Sequence, residues 1–280
     1  MPAWSGCDEG HAIQLIRVAA LVLAVALAAV SAAAEQPIYD LGTKADVAGD
    51  KTWRALVSQI FPNLTQEPGA NGRTQDFIHG TDKLRPIDGE PFGGDCSEPL
   101  RIEYLEYARV EIAKQMRVIV GITTDYDSCV GALALFEGGA EAKLLDVVDI
   151  KYDANYAFGP DFVRSLGANG QLVTATSFHT TTSNSPDNSI LILATEDKLS
   201  LIGNVMADSE KDCRRVVAEN GYITITPDYG PFDRITGYIK SSVRHLAADC
   251  QTQQGREAVT ITRTDWRWDA AKKSYRKVTP

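Results

Sequence analysis

The sequence lacks the residue patterns that carry most enzyme chemistry. It has only four histidines among 280 residues, and it contains neither the Gly-x-Ser-x-Gly turn of serine hydrolases nor the His-Glu-x-x-His helix of zinc peptidases. The glycine-rich loops that bind nucleotide phosphates or dinucleotides are also absent from it. The sequence therefore predicts no cofactor and no metal site, and it leaves open whether the protein is an enzyme.

Basic residues are in short supply as well. The chain has 28 Lys and Arg side chains against 37 Asp and Glu, a formal net charge of −9 that is dispersed along its length. Proteins that bind nucleic acid or anionic membrane surfaces present a basic patch, because most of their affinity comes from neutralising phosphate charge. We therefore expect no nucleic-acid partner.

The N-terminus carries a predicted secretory signal. Residues 18–30 (VAALVLAVALAAV) form an apolar run after Arg17, and the small residues at 31–34 (SAAA) fit peptidase cleavage after Ala34. This run is shorter than the roughly 20 strongly apolar residues of a spanning helix, and no basic flank follows it, although an uncleaved anchor is the alternative. We expect removal of residues 1–34, no stable membrane insertion after cleavage, and a periplasmic or extracellular location.

Four cysteines remain beyond the predicted signal, and no two of them form a Cys-x-x-Cys pair. They are Cys96, Cys129, Cys213 and Cys250. An even number of cysteines in an oxidising compartment indicates disulfides rather than a zinc site or a reactive thiol. Among the three possible pairings we favour Cys96 with Cys129 and Cys213 with Cys250, because each of these closes a short stretch of consecutive hairpins.

One short amphipathic helix is predicted at residues 51–60 (KTWRALVSQI). Its apolar residues recur at the helical spacing i, i+3, i+4 and i+7, namely Trp53, Leu56, Val57 and Ile60. Asp50 is the expected N-cap and Pro62 the expected stop. We expect the apolar stripe to dock against the rest of the protein, with a partner-binding helix as the alternative.

From residue 100 onward the sequence predicts β structure. Residues 100–115 fit both a helix and a strand, and we interpret them as a strand. Nine further short segments rich in β-branched residues follow, separated by turn signals: 117–123, 130–136, 144–151, 171–178, 189–194, 199–206, 222–226, 234–243 and 259–268. Because no helical crossover separates them, the predicted fold class is mostly β, an antiparallel meander with one short N-terminal helix. A sandwich-like arrangement is expected, with a barrel or a propeller as alternatives.

The predicted domain organisation has three parts. The signal at 1–34 precedes a helix plus irregular lead segment at 35–99, because residues 61–99 are rich in turn formers and show no sustained period. An antiparallel β domain follows at 100–280. Within it, the run 189–194 (SILILA) is apolar on both faces, so this strand is expected to lie between two layers of packing.

Few residues suggest a site. Histidines remain beyond the signal only at His79, His179 and His245, with no ligand spacing among them. His179 follows a predicted strand and opens a polar loop, which makes it the one candidate catalytic residue, although a solvated loop histidine is the simpler interpretation. Acidic residues cluster at Asp125 and Asp127 and again at Asp146, Asp149, Asp153 and Asp161. They match no calcium-loop pattern, so solvated turns are expected there.

An aromatic group lies near the C-terminus. Trp266 and Trp268 share one strand face, and Tyr275 lies on the expected hairpin partner. Core packing is the interpretation that we favour, and an exposed platform for a sugar or another ligand is the alternative. Val259 and Ile261 have the opposite parity, so we expect either that both faces are covered or that a bulge changes the register.

The sequence favours a non-enzymatic role over catalysis. We expect an exported module that binds an unidentified ligand or protein of the cell envelope, because the chain is β-rich and lacks catalytic motifs. A secreted hydrolase with dispersed catalytic residues around His179 is the alternative. A purely structural envelope component is a third possibility.

Overall fold

The computed structural model describes residues 37–68, 74–89, 99–125, 130–150, 155–159, 161–178 and 184–278. Within these residues the chain forms one helix, α1 (Trp53–Ile60), and a series of strands. The strands are β1 (Thr65–Pro68), β2 (Thr74–Ile78), β3 (Arg85–Pro86), β4 (Leu100–Ile112), β5 (Gln115–Thr124), β6 (Ala132–Glu137), β7 (Leu144–Asp149), β8 (Asn155–Ala157), β9 (Val163–Ser165), β10 (Gln171–Phe178), β11 (Asn184–Ala194), β12 (Leu199–Lys211), β13 (Arg215–Thr226), β14 (Arg234–Leu246), β15 (Gln253–Asp269) and β16 (Ser274–Val278). The mostly β fold class with one short helix is confirmed.

Every strand predicted from residue 100 onward is present, including the ambiguous segment that forms β4. Several strands are longer than predicted, among them β12 to β15. β12 continues to Lys211, β13 begins at Arg215, β14 continues to Leu246 and β15 begins at Gln253. The added residues are largely polar and exposed, so they carry no alternation of apolar and polar residues from which a strand can be predicted.

The helix occupies the predicted segment with a different N-cap. The hydroxyl of Thr52 accepts a hydrogen bond from the Ala55 N–H, so the N-cap is Thr52 and the prediction of Asp50 is wrong. The Asp50 carboxylate instead accepts from Lys44 at 2.7 Å. All four residues of the apolar stripe are buried, as expected of a docking face. No helix in the described part of the chain is long and apolar enough to cross a membrane.

The lead segment has more regular structure than the sequence indicated. The strands β1, β2 and β3 lie within residues 61–99, which were expected to be irregular. β1 pairs with β2, β2 pairs with β4, and β3 adds a short parallel strand beside β7. These strands are two to five residues long, too short for their sequences to show an alternating pattern. They form because they pair with neighbouring strands.

Two sheets hold these strands. The first has the order β1-β2-β4-β5-β6-β7-β3, and the second has the order β16-β15-β14-β13-β12-β11-β10-β8, with β9 paired to β10. All pairs except β3 with β7 are antiparallel. Neither sheet closes on itself within the described residues, so the sandwich-like alternative is correct and the barrel and propeller alternatives are wrong.

Three buried clusters lie one above another in this fold. The first packs α1 and the preceding chain against one face of the first sheet. The second lies between the other face of that sheet and the strands β10 and β11. The third lies between β10 to β12 and the strands β14 to β16. β11 belongs to both of the last two clusters, with Ile190 and Ile192 in one and Leu191 and Leu193 in the other. The prediction that SILILA lies between two layers is confirmed.

The second sheet folds back on itself where β12 meets β13. These two strands share only the pairs Glu210 with Val217 and Lys211 with Val216. The rest of β12 lies across the face of β14 and β16. A Cβ on Gly237 of β14 would lie 2.5 Å from the Val205 side chain of β12, so the missing side chain allows this close approach. The strands β13 to β16 thus form an outermost layer.

Candidate functional site

Three of the residues predicted for a site or a disulfide lie outside the described residues. These are His179, Cys96 and Cys129. His79 is described, and its Nε2 lies 2.8 Å from the Thr65 hydroxyl. No group of three His, Cys, Asp or Glu side chains that would suit a metal ion occurs in the described part of the chain. The acidic residues Asp127 and Asp153 also fall outside it.

The C-terminal aromatic residues belong to the third buried cluster. Trp266 is 3% exposed and Tyr275 8%, while Trp268 is half-buried. Trp268 pairs directly with Tyr275 across the predicted hairpin, and its ring centroid lies 4.4 Å from that of Phe232. The Tyr275 hydroxyl donates to the Asp233 carbonyl, and burial raises the pKa of Tyr275. Trp266 and Tyr275 therefore fill the interior and offer no exposed stacking platform.

Cys213 and Cys250 form a disulfide, as the sequence predicted. Cys213 lies in the turn between β12 and β13, and Cys250 lies in the turn between β14 and β15. The bond therefore joins two hairpin turns at the same end of the outermost layer. Asp249 beside it accepts hydrogen bonds from Gln251 and Thr252, which lower its pKa to about 2. Both turns are held in place by local contacts.

The strands that lead to this disulfide form an exposed extension of the outermost layer. We define the distal arm as residues 208–222 and 238–263. These two ranges contain the paired ends of β12 to β15 and the turns between them. All of the residues in these two ranges are described, and none of them is buried. β13 and β14 keep an unbroken register along the arm from Arg215 with His245 to Tyr222 with Tyr238. The arm is therefore a regular antiparallel sheet without a core of its own.

One face of the arm collects exposed apolar and aromatic side chains. We call it the outer face and define it by Tyr222, Tyr238, Val259, Ile261 and Arg263. Tyr222, Tyr238 and Arg263 occupy one row across β13, β14 and β15. The tyrosine rings stack at 4.8 Å with an interplanar angle of 13°. Tyr222 is 46% exposed, Val259 53% and Ile261 61%, which makes this an apolar patch rather than an isolated exposed residue.

The sequence predicted this face incorrectly. It indicated that Val259 and Ile261 are either covered or moved to the face of Trp266 by a bulge. The register of β14 with β15 is continuous from Ala258 to Trp266, so no bulge lies between them, and both residues are exposed. The register shift occurs further out, between Val243 and His245 on β14. The two apolar sets of β15 therefore face opposite sides, one buried and one in solvent.

Beside the outer face lies an open edge of the sheet. β15 pairs with β14 along most of its length, but β16 pairs only with Asp265 to Asp269. Residues 253–264 of β15, which we call the open edge, have no second strand partner among the described residues. Twelve extended residues span about 40 Å. This is long for an unprotected edge. Edge strands expose unpaired N–H and C=O groups, to which strands of other chains can add, and proteins therefore often keep them short.

The open edge carries little of the usual protection against pairing. Its central residues 258–262 (AVTIT) contain no charge and no proline, and four of the five are β-branched residues, which strands favour. Charged residues lie on either side, Glu257 before them and Arg263 after them. Arg263 donates to both carboxylate oxygens of Asp265, which also accepts from Thr236. The Arg263 bond holds the pKa of Asp265 below its ordinary value.

Sequence reasoning missed a buried carboxyl in the first sheet. Glu106 of β4 is 8% exposed and points into the second cluster, on the same face as Ala108. Burial raises its pKa to about 7, although the Phe158 backbone N–H donates to it, and its Oε2 atom has no partner in the described residues. The signal for it was a glutamate at a position that continues the alternation of Ala108, Val110 and Ile112.

Two of the acidic candidates, Asp146 and Asp149, take part in the fold. Asp146 accepts hydrogen bonds from Arg85 at 2.6 Å and from the Leu199 N–H at 2.8 Å, and so it joins β7 to β3 and β12. Asp149 accepts from the Gly131 N–H at 3.1 Å. Both carboxylates therefore tie β7 to neighbouring segments of the fold.

Known proteins give no guide to the role of these features. Comparison with protein-family models, with curated proteins and with solved structures found no match. Function is therefore argued from the geometry and chemistry of the arm.

Proposed function

We propose that this protein is an exported, non-enzymatic module of the cell envelope that binds a protein partner by strand addition to the open edge of β15. The observation that carries the proposal is the 253–264 segment, which is extended, exposed and without a second partner strand in the described structure. Strand addition supplies main-chain hydrogen bonds along the edge, and the side chains of alternate residues give specificity.

The outer face supports the same role. An added strand would extend the sheet next to Val259 and Ile261, which are the exposed apolar residues of β15. Its side chains on that face would continue the row that already contains Tyr222 and Tyr238. Aromatic and β-branched neighbours across strands stabilise pairing by about 0.2 to 1 kcal/mol for each pair, so several rows contribute appreciable affinity.

The disulfide supports a binding role for the arm rather than a merely tolerated extension. Bonding Cys213 to Cys250 restrains two turns at the end of the arm, in a region that has no buried residues to hold it. A restrained edge loses less conformational entropy when a partner adds to it. A disulfide at an exposed position also fits the oxidising compartment that the predicted signal implies.

The alternative, a secreted hydrolase, centres on His179, which lies outside the described residues. Among the described residues the Thr65 hydroxyl lies 2.8 Å from His79 Nε2, but this pair is exposed, whereas the nucleophile and base of an active site lie in a concave pocket. The binding proposal rests on the exposed open edge of β15, and we therefore favour binding over hydrolysis.

Site-specific photocrosslinking in the intact cell envelope tests the proposal. A photoreactive phenylalanine analogue at Ile261 samples the open edge, and the same analogue at Tyr229 samples a fully exposed turn elsewhere. We expect a discrete protein adduct from position 261 and none from position 229. The adduct should disappear when Thr260→Lys and Thr262→Lys are added, because lysines at an edge oppose strand addition.

The matched control for those lysines is Tyr229→Lys, which adds a charge at an exposed turn. It should leave the adduct at position 261 unchanged. Equal adducts from positions 261 and 229, or an adduct that survives the two edge lysines, would show that the open edge is not the binding site.

A further inference from the structure

We infer that the strand that adds to the open edge is β15 of a second copy of this chain. The inference rests on the proposed function and names its partner. In this arrangement residues 256–264 of the two β15 strands pair antiparallel about a twofold axis at Thr260, ending where β16 occupies the edge at Asp265. The outermost layers of the two copies then join into one sheet. An isologous contact of this kind uses the same patch on both subunits, so the patch must be complementary to itself.

The sequence of the open edge has this self-complementarity. With the axis at Thr260, Glu257 of each copy lies opposite Arg263 of the other, so that two pairs of opposite charge flank the contact. Between them Val259 lies opposite Ile261, and Ala258 lies opposite Thr262. Opposite charges and β-branched apolar residues directly across an antiparallel pair are the combinations that stabilise pairing.

Neighbouring registers lose this complementarity. Moving the axis to Ile261 would place Val259 opposite Arg263, an apolar residue against a guanidinium, and would bring Glu257 to Asp265, where β16 already occupies the edge. Moving it to Val259 would place Ile261 opposite Glu257, an apolar residue against a carboxylate. Neither of these registers places opposite charges across from each other. Only the register centred on Thr260 gives both the charge pairs and the apolar pairs, so the edge specifies one register as well as one partner.

The faces of the sheet also agree with this register. Val259, Ile261 and Arg263 alternate onto the outer face, where Arg263 shares a row with Tyr238 and Tyr222. Residues directly opposite in an antiparallel pair share a face, so the outer faces of the two copies join without a step. The dimer would bring both exposed apolar sets together and would remove an open edge from each copy at once.

Charge reversal tests this inference in sedimentation velocity, with the full mature chain over a range of concentrations. We expect the wild type to form a dimer that dissociates on dilution. Glu257→Arg alone and Arg263→Glu alone should each weaken the dimer by about tenfold or more, because twofold symmetry places like charges at both flanks. The double variant E257R/R263E restores opposite charges at both flanks and should return the dissociation constant to within about threefold of the wild type. Lys198→Glu, an exposed charge change in the turn between β11 and β12, is the matched control.

Cysteine crosslinking tests the position of the axis. Thr260→Cys places two thiols opposite each other across the proposed axis, so oxidation should convert this variant to a covalent dimer. Asn220→Cys, at an exposed position of β13 inside the sheet, should stay monomeric under the same conditions. Crosslinking at 220 as readily as at 260, or no loss of dimer with either charge reversal, would overturn the inferred interface.

The outcomes separate this inference from the proposed function. A wild type that sediments as a monomer at every concentration, together with an edge-dependent adduct to a different protein in the cell envelope, would overturn the second copy as partner and leave strand addition in place. Absence of both the dimer and the adduct would overturn both.

Discussion

The ring of Phe158 lies over Gly121 so closely that a Cβ on the glycine would be 2.3 Å from the ring carbon Cε2. Gly121 pairs with Glu106 on the neighbouring strand, and the Phe158 N–H donates to that glutamate. Tyr156, two residues earlier, similarly approaches Gly131, and its hydroxyl donates to the Ile122 carbonyl. The segment around β8 is therefore held between the sheets because two glycines of the first sheet leave space for its rings.

Replacement of Gly121 by alanine should destabilise the protein by about 1 to 3 kcal/mol. The methyl group would occupy the position of the Phe158 ring in a packed layer, and overpacking of this kind forces side chains or backbone to move. Urea unfolding measures the change. Gly159→Ala is the matched control, since a Cβ there meets nothing within 4 Å. Equal destabilisation by both variants would show that the Phe158 contact is not the cause.

Removal of the Trp266 side chain should cost about 3 to 5 kcal/mol of stability, the range for large aromatic residues in a core. Trp266 is 3% exposed, and its indole lies against Gly203 of the facing strand β12 and Gly237 of the neighbouring strand β14. The exposed Ile261→Ala on the same strand should change the free energy of unfolding by less than about 0.5 kcal/mol. A Trp266→Ala variant of wild-type stability would indicate a recognition role instead of a core role.

Glu106 should make stability fall as the pH rises from about 5 to 8. Its pKa is raised from an ordinary 4.5 to about 7, so between these values the folded state keeps a proton that the unfolded chain releases. The full cost is present above the folded pKa and amounts to about 3 kcal/mol. Glu106→Gln keeps the shape of the neutral acid. It should match the wild type at pH 4 and exceed its urea midpoint at pH 8, and an unchanged pH dependence would contradict this assignment.

Reduction of the Cys213–Cys250 disulfide should loosen the distal arm before the rest of the fold. The bond closes a sequence separation of 37 residues, for which chain entropy alone gives about 4 kcal/mol. Because the arm has no buried residues, few contacts besides the disulfide stabilise it. Hydrogen exchange of Cys213→Ser/Cys250→Ser should accelerate in β13 to β15 beyond Tyr222 and stay unchanged in β10 and β11. Faster exchange throughout both sheets would assign the bond a global role.

Segments with a strong local pattern were predictable from sequence. The apolar stripe of residues 53–60 predicted the helix because its period of 3.6 is distinctive. The run SILILA predicted a strand covered on both sides because no polar residue interrupts it. The N-cap was assigned to the wrong residue, since Asp50 and Thr52 both have side chains that can accept the N-terminal hydrogen bond, and only the path of the chain decides between them.

The candidate surface was much less predictable. Val259 and Ile261 look like core residues by composition, and they are exposed because they lie on the outer face of the outermost layer, which no described element covers. The local sequence of residues 253–264 does not indicate which strands lie beside them. Glu106 was equally hidden, because burial of a carboxyl depends on what packs above it, in this case the Phe158 segment.

The sequence by itself determined the β class, the position of the helix and the core strands, since each of these depends on periodicity. It favoured the pairing of Cys213 with Cys250 without deciding among the three possible pairings. Only the tertiary structure decided that the second sheet folds back at β12 and β13, that the arm extends beyond the core, and that one edge of β15 is open. These features depend on which strands become neighbours in space. That choice is made by packing between distant segments, such as Val205 against Gly237, and a local pattern does not record it.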